Sequence, residues 1–476
     1  MKKFKLIPLA ILAAIAAPAA HAADLIALGS LTGSSAGAYA DLSGLTGTLE
    51  NGVAANVLGG IGSGLAWAGG NTFLALPDRG PNATPYNSLV DDTVSYISRF
   101  QTVSMDLTVN NSGVGLAYNL TPTLAATTLL SSPTALNYGS GAGLGNKADG
   151  TPLGSGAPTQ NSAGTYYFTG RSDNFAAGLS TNPNNARLDP EGIRVSNDGR
   201  SVFVSDEYGP YVYQFDRSTG QRINTFTLPG NLAVSNLSAQ GNVEISGNTT
   251  GRVANKGMEG LAITPDGKTL VGIMQAPLEQ DTNKNVRIVT IDIATGTTHE
   301  YAYKLTTGSG VSEILAINDH EFLVDERDGK GLGDGSNAAA KQLFKINLSN
   351  AQDVTGLSGD LSAKAVSKSL FMDVVSVLTA HGISASQIPS KLEGLSWGQD
   401  LADGTHTLYL ANDNDFVPGT SGPNNFYVFS VSNADLGTSL YQAQSIAAVP
   451  EPESYAMLLA GLGLLGFMSR RKRQSV

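Results

Sequence analysis

Glutamate recurs at equivalent points along this chain, each time directly before a glycine and a short apolar run. Glu191, Glu259 and Glu393 follow this pattern. Glu313 opens a looser copy, and Ser63 opens a copy that lacks the carboxylate. Most copies lie about 65 residues apart, or twice that distance, which is typical of a β-propeller whose units each open with a strand. Because the innermost strand of every blade lines the central channel, we expect these carboxylates to converge at one mouth of the channel.

A second set of acidic residues ends the next apolar run of each unit. A tight turn such as Asn197-Asp198-Gly199 separates the two runs, which indicates a hairpin, because glycine tolerates positive φ. We expect a functional role for these acids, since loops at strand ends often carry sites. The set comprises Asp78, Asp206, Glu207, Asp325, Glu326 and Asp413.

Four basic residues lie within three positions of these carboxylates: Arg79, Lys256, Arg327 and Lys391. Guanidinium and ammonium groups bind phosphate oxygens, arginine in a bidentate way. These four are therefore predicted to bind substrate. The alternative is local ion pairing with the same carboxylates.

Carboxylate oxygens are the ligands that Ca²⁺ prefers, and a bound cation bridges to phosphate and lowers the pKa of an attacking water. The predicted catalytic residues are Glu191, Glu259, Glu393 and Asp206. The predicted metal ligands are Asp78, Asp206, Glu207, Glu259, Glu313 and Glu326. The alternative is that the Glu-Gly carboxylates only accept backbone N–H groups of the next blade and hold the ring together.

Few competing nucleophiles exist. The chain has no cysteine, and its five histidines form no H-E-x-x-H pair. Residues 394–398 match G-x-S-x-G, but Ser396 occupies the place of Ala66, Arg194 and Ala262 in the other repeats. Ser396 is therefore interpreted as a structural strand residue rather than a nucleophile.

The composition favours an all-β fold: 56 glycines accompany only 14% charged residues. Five repeat units are visible, and the interval from 67 to 191 has room for one more, including the alternating run from Val94 to Val109. The sequence therefore predicts a six-bladed β-propeller. Residues 138–186, rich in Gly, Ser, Asn, Thr and Ala, are expected to be a loop insertion.

Both termini look like processing segments. Lys2, Lys3 and Lys5 precede an apolar stretch that ends at Ala20-His21-Ala22, as in a secretory signal cleaved by signal peptidase. At the other end, Pro450-Glu451-Pro452 precedes an uncharged stretch over 455–468 and a basic cluster. The sequence thus divides into a signal peptide (1–22), one propeller domain (23–448) and a C-terminal segment (449–476) with a short membrane stretch.

The C-terminal layout resembles the PEP-CTERM sorting signal of Gram-negative bacteria. The resemblance implies export, transient anchoring in the inner membrane, cleavage near the Pro-Glu-Pro by an exosortase, and a final place on the cell envelope or outside the cell. An ordinary tail anchor is the alternative.

Five strings around the acids resemble the "esterase-like activity of phytase" family. They are DRGP (78–81), DPEGI (189–193), SDEYGP (205–210), NKGMEGLA (255–262) and KLEGLSWG (391–398). The resemblance runs from about residue 58 to 430. It implies hydrolysis of phosphomonoesters or phytate on a β-propeller, with Ca²⁺.

The charge of the processed chain is strongly negative. Removing seven Lys and Arg and two Glu with the terminal segments changes the net charge from −11 to −16. Such a surface repels nucleic acid, and a cation is needed between it and an anionic substrate. Two functions stay open: a Ca²⁺-dependent phosphoesterase of the cell envelope, and a non-catalytic propeller that binds glycans or proteins in an exopolysaccharide matrix.

Overall fold

The computed structural model describes residues 23–84, 86, 92–139, 150–151, 154–172, 179–239 and 241–448. Within these ranges the chain forms five four-stranded sheets whose inner strands contact one another in a closed cycle, a β-propeller. The predicted all-β propeller is confirmed. The predicted signal peptide and sorting segment lie outside the described residues. No helix in the described ranges has the length and apolar character needed to cross a membrane.

Each blade is an antiparallel meander of four strands. From the inner to the outer edge, blade 1 contains Gly64–Trp67, Thr72–Leu76, Arg99–Val109 and Tyr118–Leu129. In the same order, blade 2 contains Pro190–Val195, Ser201–Asp206, Tyr211–Asp216 and Arg222–Thr227. Blade 3 contains Met258–Ile263, Thr269–Met274, Asn285–Asp292 and Thr298–Lys304. Blade 4 contains Gly310–Ala316, Glu321–Arg327, Lys341–Asn347 and Lys368–Asp373. Blade 5 contains Leu392–Trp397, His406–Asn412, Asn424–Val431 and Asp24–Leu31.

Other regular elements in the described residues are short. The helices are Gly241–Gly247, Val374–Ala380 and Pro418–Ser421, with 3₁₀ turns at Gly230–Leu232 and Ser362–Lys364. Two minimal hairpins pair Gly33–Ser34 with Gly37–Ala38 and Ser131–Ser132 with Tyr166–Tyr167.

The prediction of six blades is wrong. The alternating run before Val109 is the third strand of blade 1, where Ser104 pairs with Thr72 of the second strand. Residues 118–129 complete that blade, and the described residues between Leu130 and Asp189 add only a two-stranded hairpin. The spacing of blade openings does not distinguish an extra blade from a long connection, because the length of a surface loop is only weakly constrained.

The predicted insertion at 138–186 packs on the propeller where the structure describes it. Phe168 is fully buried, and its ring lies 5.6 Å from the ring of Tyr213 and 5.9 Å from that of Phe215. It belongs to the apolar cluster between blades 1 and 2. This segment is therefore part of the core as well as a connection.

The ring is closed by pairing the two ends of the propeller. The N-terminal strand is the outer strand of blade 5, with Asp24 opposite Ser430 and Leu31 opposite Asn424. The apolar core lies between successive blades, where the inner faces of neighbouring sheets pack on each other. Closure thus ties the first described strand to the last and leaves no open sheet edge inside the ring.

Residues 439–448 cross the end of the channel at which the inner strands finish, and we call them the C-terminal strap. Tyr441 packs with ring centroids 4.9 Å from Trp397, and the backbone N–H of Gln442 donates to the carbonyl of Ile317 in blade 4. On the far side, Gln444 Nε2 donates to the carbonyl of Val195 in blade 2 at 2.7 Å. The strap therefore covers this mouth of the channel.

We expect a chain that ends at Thr438 to be less stable than one that ends at Ala448. Removing the strap deletes a ring contact and several hydrogen bonds, together worth about 2 kcal/mol. Urea unfolding of the two proteins followed by tryptophan fluorescence measures the difference. Equal unfolding midpoints would show that the strap contributes nothing to the fold.

Candidate metal centre

The inner strands of blades 2, 3 and 5 carry a β-bulge where they begin. In blade 3 the pairing register shifts between Met258 and Gly260, which leaves Glu259 outside the ladder. Blades 2 and 5 shift at the same place, around Glu191 and Glu393. Because a bulge re-aims the side chain of its extra residue, it accounts for how each glutamate is presented at the mouth of the channel.

The glycine after each glutamate is required by the close approach of neighbouring inner strands. A Cβ on Gly192 would lie 2.6 Å from the Cβ of Leu261, and one on Gly260 would lie 2.8 Å from the Cα of Glu313. Real Cβ atoms essentially never come that close. In each Glu-Gly pair, the glycine lets the ring close and the glutamate faces the mouth.

Blade 4 departs from this pattern by one position. Val311 pairs with Glu326, and the register then shifts so that Glu313 pairs with Asp325. Ser312 therefore occupies the position of the other glutamates, and Glu313 occupies the position of the glycines. The structure does not bring Glu313 into the carboxylate groups at the mouth.

Five buried carboxylates meet at this end of the channel, which we call the acidic mouth. They form two groups of three whose oxygens lie within 4.8 Å of one another. One group is Asp78, Asp189 and Glu191, and the other is Glu191, Glu207 and Glu259. The predicted ligands Asp78, Glu207 and Glu259 are thus brought together, and Glu191 belongs to both groups.

Several oxygens of the acidic mouth lack a protein partner. Glu259 Oε1 accepts a hydrogen bond from Gln275 Nε2 at 2.8 Å, but its Oε2 is buried without a partner among the described residues. Glu207 accepts one from the backbone N–H of Gly257 at 3.1 Å. The carboxylate of Glu191 makes no hydrogen bond or ion pair with any described residue, although only 7% of the residue is exposed. Such orphaned oxygens are what a bound cation would satisfy.

The environment disfavours negative charge here in the absence of a cation. Burial, followed by the neighbouring carboxylates, raises the pKa of Glu191 and of Glu207 well above the ordinary range. Burial also raises the pKa of Asp78, and it raises the pKa of Glu259 to about 7. The group must therefore either share protons or hold cations near neutral pH.

Arg79 lies at one side of the acidic mouth. Its Nη1 is 3.5 Å from Asp189 Oδ1 and donates to Asn255 Oδ1 at 2.6 Å. Burial alone would raise the pKa of Asp189, but Arg79 and Arg187 outweigh it and lower that pKa. Lys256, next along the loop, is exposed and forms no ion pair within the described ranges.

The other two predicted substrate-binding residues are already paired. Arg327 forms an ion pair with Glu393 and lies 3.8 Å from Glu259 Oε1. Lys391 Nζ lies 3.0 Å from Asp413 Oδ2. Local ion pairing, the alternative considered from the sequence, describes both contacts. They also fix Glu393 and Asp413 beside the acidic mouth.

Two predicted ligands are used elsewhere in the fold. Asp206 accepts from the backbone N–H groups of Asp189 and Tyr208 at 3.0 and 3.1 Å, so it shapes the turn rather than facing the mouth. Glu326 accepts the hydroxyl of Tyr303 at 2.5 Å and pairs with Lys368, between blades 3 and 4. Asp206 pairs with Pro190 and Glu326 pairs with Val311, in each case at the start of a bulge. Because these two positions are equivalent in their blades, the repeat spacing grouped both acids with the site.

Sequence reasoning missed three residues of the site. Asp189 stands two residues before Glu191, a place where the other repeats carry no acid. Asn255 has φ +54°, an uncommon value for a residue other than glycine, and sequence does not reveal it. Gln275 directly follows the second strand of blade 3, at the position that Glu207 takes after the second strand of blade 2. The position just after the second strand was the available signal, because residues of the predicted acidic set occupy it in other blades. The amide of Gln275 at that position was overlooked.

Below the acidic mouth, Arg194 occupies the channel itself. Its guanidinium donates to the carbonyls of Leu65 in blade 1, Ile314 in blade 4 and Leu395 in blade 5. It also lies 3.0 Å from Glu313 Oε2, and both side chains are buried. One side chain thus connects four blades and closes the channel beneath the carboxylates.

Ser396 lies in the inner strand of blade 5, and the strand is followed by a turn instead of a helix. Its Oγ accepts the backbone N–H of Trp67 at 2.9 Å and donates to the carbonyl of Trp397. The serine therefore holds blade 5 to blade 1.

A family model described as "esterase-like activity of phytase" matches residues 56–416. The chain belongs to this family. A PEP-CTERM protein-sorting motif matches residues 448–473. This is therefore a secreted phytase-like protein, exported in the manner of Gram-negative PEP-CTERM proteins and destined for the envelope or the extracellular space.

A curated relative from Arthroderma benhamiae, described as an uncharacterized secreted protein, is 30% identical over 320 residues. The match covers 56% of this chain and 55% of that protein, so the chain spans about half the length of the relative.

Similarity to solved structures is low. A luciferin-regenerating enzyme is 11% identical, with 82% of this chain and 97% of that chain covered and a TM-score of 0.33. Hydrazine synthase of Kuenenia stuttgartiensis is 12% identical, with 75% and 78% covered and a TM-score of 0.31. Neither likeness bears on function.

Replacing Arg194 by methionine should destabilise the protein by about 3–5 kcal/mol, because it leaves the carbonyls of Leu65, Ile314 and Leu395 and the side chain of Glu313 buried without their donor. Urea unfolding measures the change. The control is Lys268→Met, which removes a pair with Asp266 on a side chain that is 76% exposed, and which should alter stability by less than about 0.5 kcal/mol. Similar losses in both variants would contradict the role given to Arg194.

Stability should fall as pH rises from about 5 to 8. Burial raises the pKa of Glu313 to about 7 and that of Asp325 to about 8 in the folded chain. The unfolded chain releases these protons near pH 4, so the folded state loses up to about 1.4 kcal/mol per pH unit for each titrating group. Urea midpoints measured in EDTA across this range test the trend. Asp325→Asn should flatten it, and an unchanged slope would show that Asp325 does not titrate as described.

Proposed function

We propose that this protein is a secreted phosphoesterase that works with a divalent cation, Ca²⁺ in the first instance, at the acidic mouth. The observation that carries the proposal is the pair of buried carboxylate groups that meet there, with Glu259 Oε2 lacking any partner among the described residues. Oxygen ligands of this kind suit Ca²⁺. Membership of the phytase-like family supports phosphate esters as the substrate class.

The residues that would hold the cation are Glu191, Glu207 and Glu259, with Asp78 and Asp189 beside them. A bound divalent cation would lower the pKa of a water and offset the charge of a phosphate. The donor set fits a hard cation because it consists of carboxylates, with the amide of Gln275 hydrogen-bonded to one of them.

The basic residues would give the mouth its selectivity for an anion. Arg79 is fixed between Asp189 and Asn255, which positions its guanidinium for a phosphate oxygen that approaches the carboxylates. Arg327 holds Glu393 in place at the edge of the mouth through their ion pair. Lys256 and Lys391 would steer the anion from the loops. Asp206 would act only as a positioning residue, through the turn that carries Glu207.

Processing follows from the two ends of the chain. We propose removal of residues 1–22 by signal peptidase and cleavage near Pro450 by an exosortase, with a propeller domain over 23–448 as the mature protein. The sorting motif at 448–473 supports the second cleavage.

A non-catalytic propeller that binds glycans or matrix proteins is the second candidate. It is favoured by a cavity of about 610 Å³ that lies away from the acidic mouth, beside blade 1. The side chains of Thr46, Thr48, Ser95 and Gln160 contribute to its lining, as polar groups do in sites for polyhydroxyl ligands.

Glu259→Gln should weaken Ca²⁺ binding and slow phosphate release together by about tenfold or more. Mutation of residues that merely hydrogen-bond to a metal ligand already lowers metal affinity or activity by about 10- to 100-fold. Ca²⁺ titration calorimetry and phosphate release from p-nitrophenyl phosphate and phytate are measured on the same sample. The control is Asp403→Asn, an exposed turn residue at the opposite end of blade 5, and both quantities should be unchanged there.

Wild-type protein that binds no Ca²⁺ and releases no phosphate would favour the binding-module candidate. Turnover that Glu259→Gln leaves intact would place the reaction elsewhere on the propeller.

A further inference from the structure

We propose that the acidic mouth holds two divalent cations that share Glu191 as a common ligand. The inference deepens the proposed function and rests on it for the identity of the site. Its basis is geometric: two groups of three carboxylates each have their oxygens within 4.8 Å, and Glu191 is the one residue that both contain.

Two independent features point to missing ligands rather than to a merely acidic surface. Glu259 is 4% exposed, and its Oε2 is buried with no hydrogen-bond partner in the described ranges. Glu191 is 7% exposed, and its carboxylate has neither a hydrogen bond nor an ion pair with a described residue. Buried carboxylates in native proteins are paired or coordinate metals. Each of the two carboxylate groups therefore contains an acid that lacks a protein partner and that a bound cation would satisfy.

Charge balance favours two cations over one. The five carboxylates carry five negative charges when ionised, and on the side of Asp78 and Asp189 the basic residues that contact them are Arg79 and Arg187. Arg327, on the other side, is paired with Glu393. One divalent cation with Arg79 and Arg187 supplies four positive charges and leaves a buried negative charge uncompensated, which is costly, whereas two cations supply six and leave one positive charge for the anionic substrate of the proposed function.

The two sites should differ in affinity. Arg79 Nη1 lies 3.6 Å from Asp78 Oδ1 and 3.5 Å from Asp189 Oδ1, so it already offsets part of the charge of that group. Among the described residues, the basic residue in contact with the group of Glu191, Glu207 and Glu259 is the more distant Arg327, at 3.8 Å from Glu259. We expect this second group to fill first and the group that contains the aspartates to fill second.

The experiment counts the cations on the mature chain. Calorimetry and equilibrium dialysis with Ca²⁺ at low ionic strength should give two cations per wild-type chain, bound in two steps. Asp189→Asn should abolish the weaker step and keep the tighter one, and Glu207→Gln should weaken the tighter step by about tenfold or more. Glu191→Gln should weaken both. The Asp403→Asn control should behave like wild type.

A spectroscopic experiment tests whether the two cations lie close together. Mn²⁺ replaces Ca²⁺, and the electron paramagnetic resonance spectrum with two equivalents should show magnetic coupling between the ions. That coupling should be absent at one equivalent and in Asp189→Asn. A wild-type spectrum equal to the sum of two isolated ions would overturn the shared ligand.

Folding is checked independently, because removing one of several crowded acids should not harm the metal-free protein. In EDTA, Glu191→Gln should melt at or above the wild-type temperature, and Glu191→Asp, which retains the charge, serves as the second variant. If Glu191→Gln does not fold, Glu191→Asp should still show both steps displaced to weaker binding, and unaltered binding in it would count against the proposal.

The outcomes separate the two proposals. One cation per chain with phosphate release intact overturns the pair and leaves the phosphoesterase standing. Two coupled cations with no release of phosphate overturn the phosphoesterase and support the pair. No cation bound at all overturns both.

Discussion

The ion pair of Arg194 with Glu313 is the interaction on which the centre of this propeller depends. Five inner strands can meet around a channel only if their polar groups find partners, and water is largely excluded there. One guanidinium supplies donors to the carbonyls of three other blades and a counter-charge to a buried glutamate. Because the guanidinium is buried together with all of these acceptors, it cannot be removed without a large loss of stability. The floor of the acidic mouth is therefore a rigid part of the fold.

Above that floor, at the acidic mouth, carboxylates outnumber the basic groups that could pair with them. The carboxylates of the acidic mouth gain little from being together, and burial opposes their ionisation. The surrounding structure holds them in place through glycines that admit no side chain and through backbone bonds such as Gly257 to Glu207. Strain of this kind, stored by a stable scaffold, is typical of a functional site. The same fold would be more stable without these acids, and this argues that they are retained for what they bind.

The sequence was sufficient to predict the propeller and the convergence of Glu191 and Glu259, because the Glu-Gly repeat reports a steric need of the inner strands. The sequence was insufficient to predict the number of blades, since the length of a loop between blades is only weakly constrained. It also misplaced Glu313, whose role changes with a one-residue shift in register that composition does not encode. Asp206 and Glu326 repeat as faithfully as the true site residues, yet their side chains accept bonds from backbone or neighbouring blades. The sequence repeat identified the equivalent positions. Only the packing of the side chains showed which of these acids face the mouth and which stabilise turns or contacts between blades.

The C-terminal strap leaves the propeller at the end of the channel opposite the acidic mouth. Gln444 and Ala447 fasten it to blade 2 immediately before the sorting motif begins. The last described residues therefore lie on the face of the ring opposite the acidic mouth. A substrate can then reach the carboxylates without passing the residues that lead into the sorting motif.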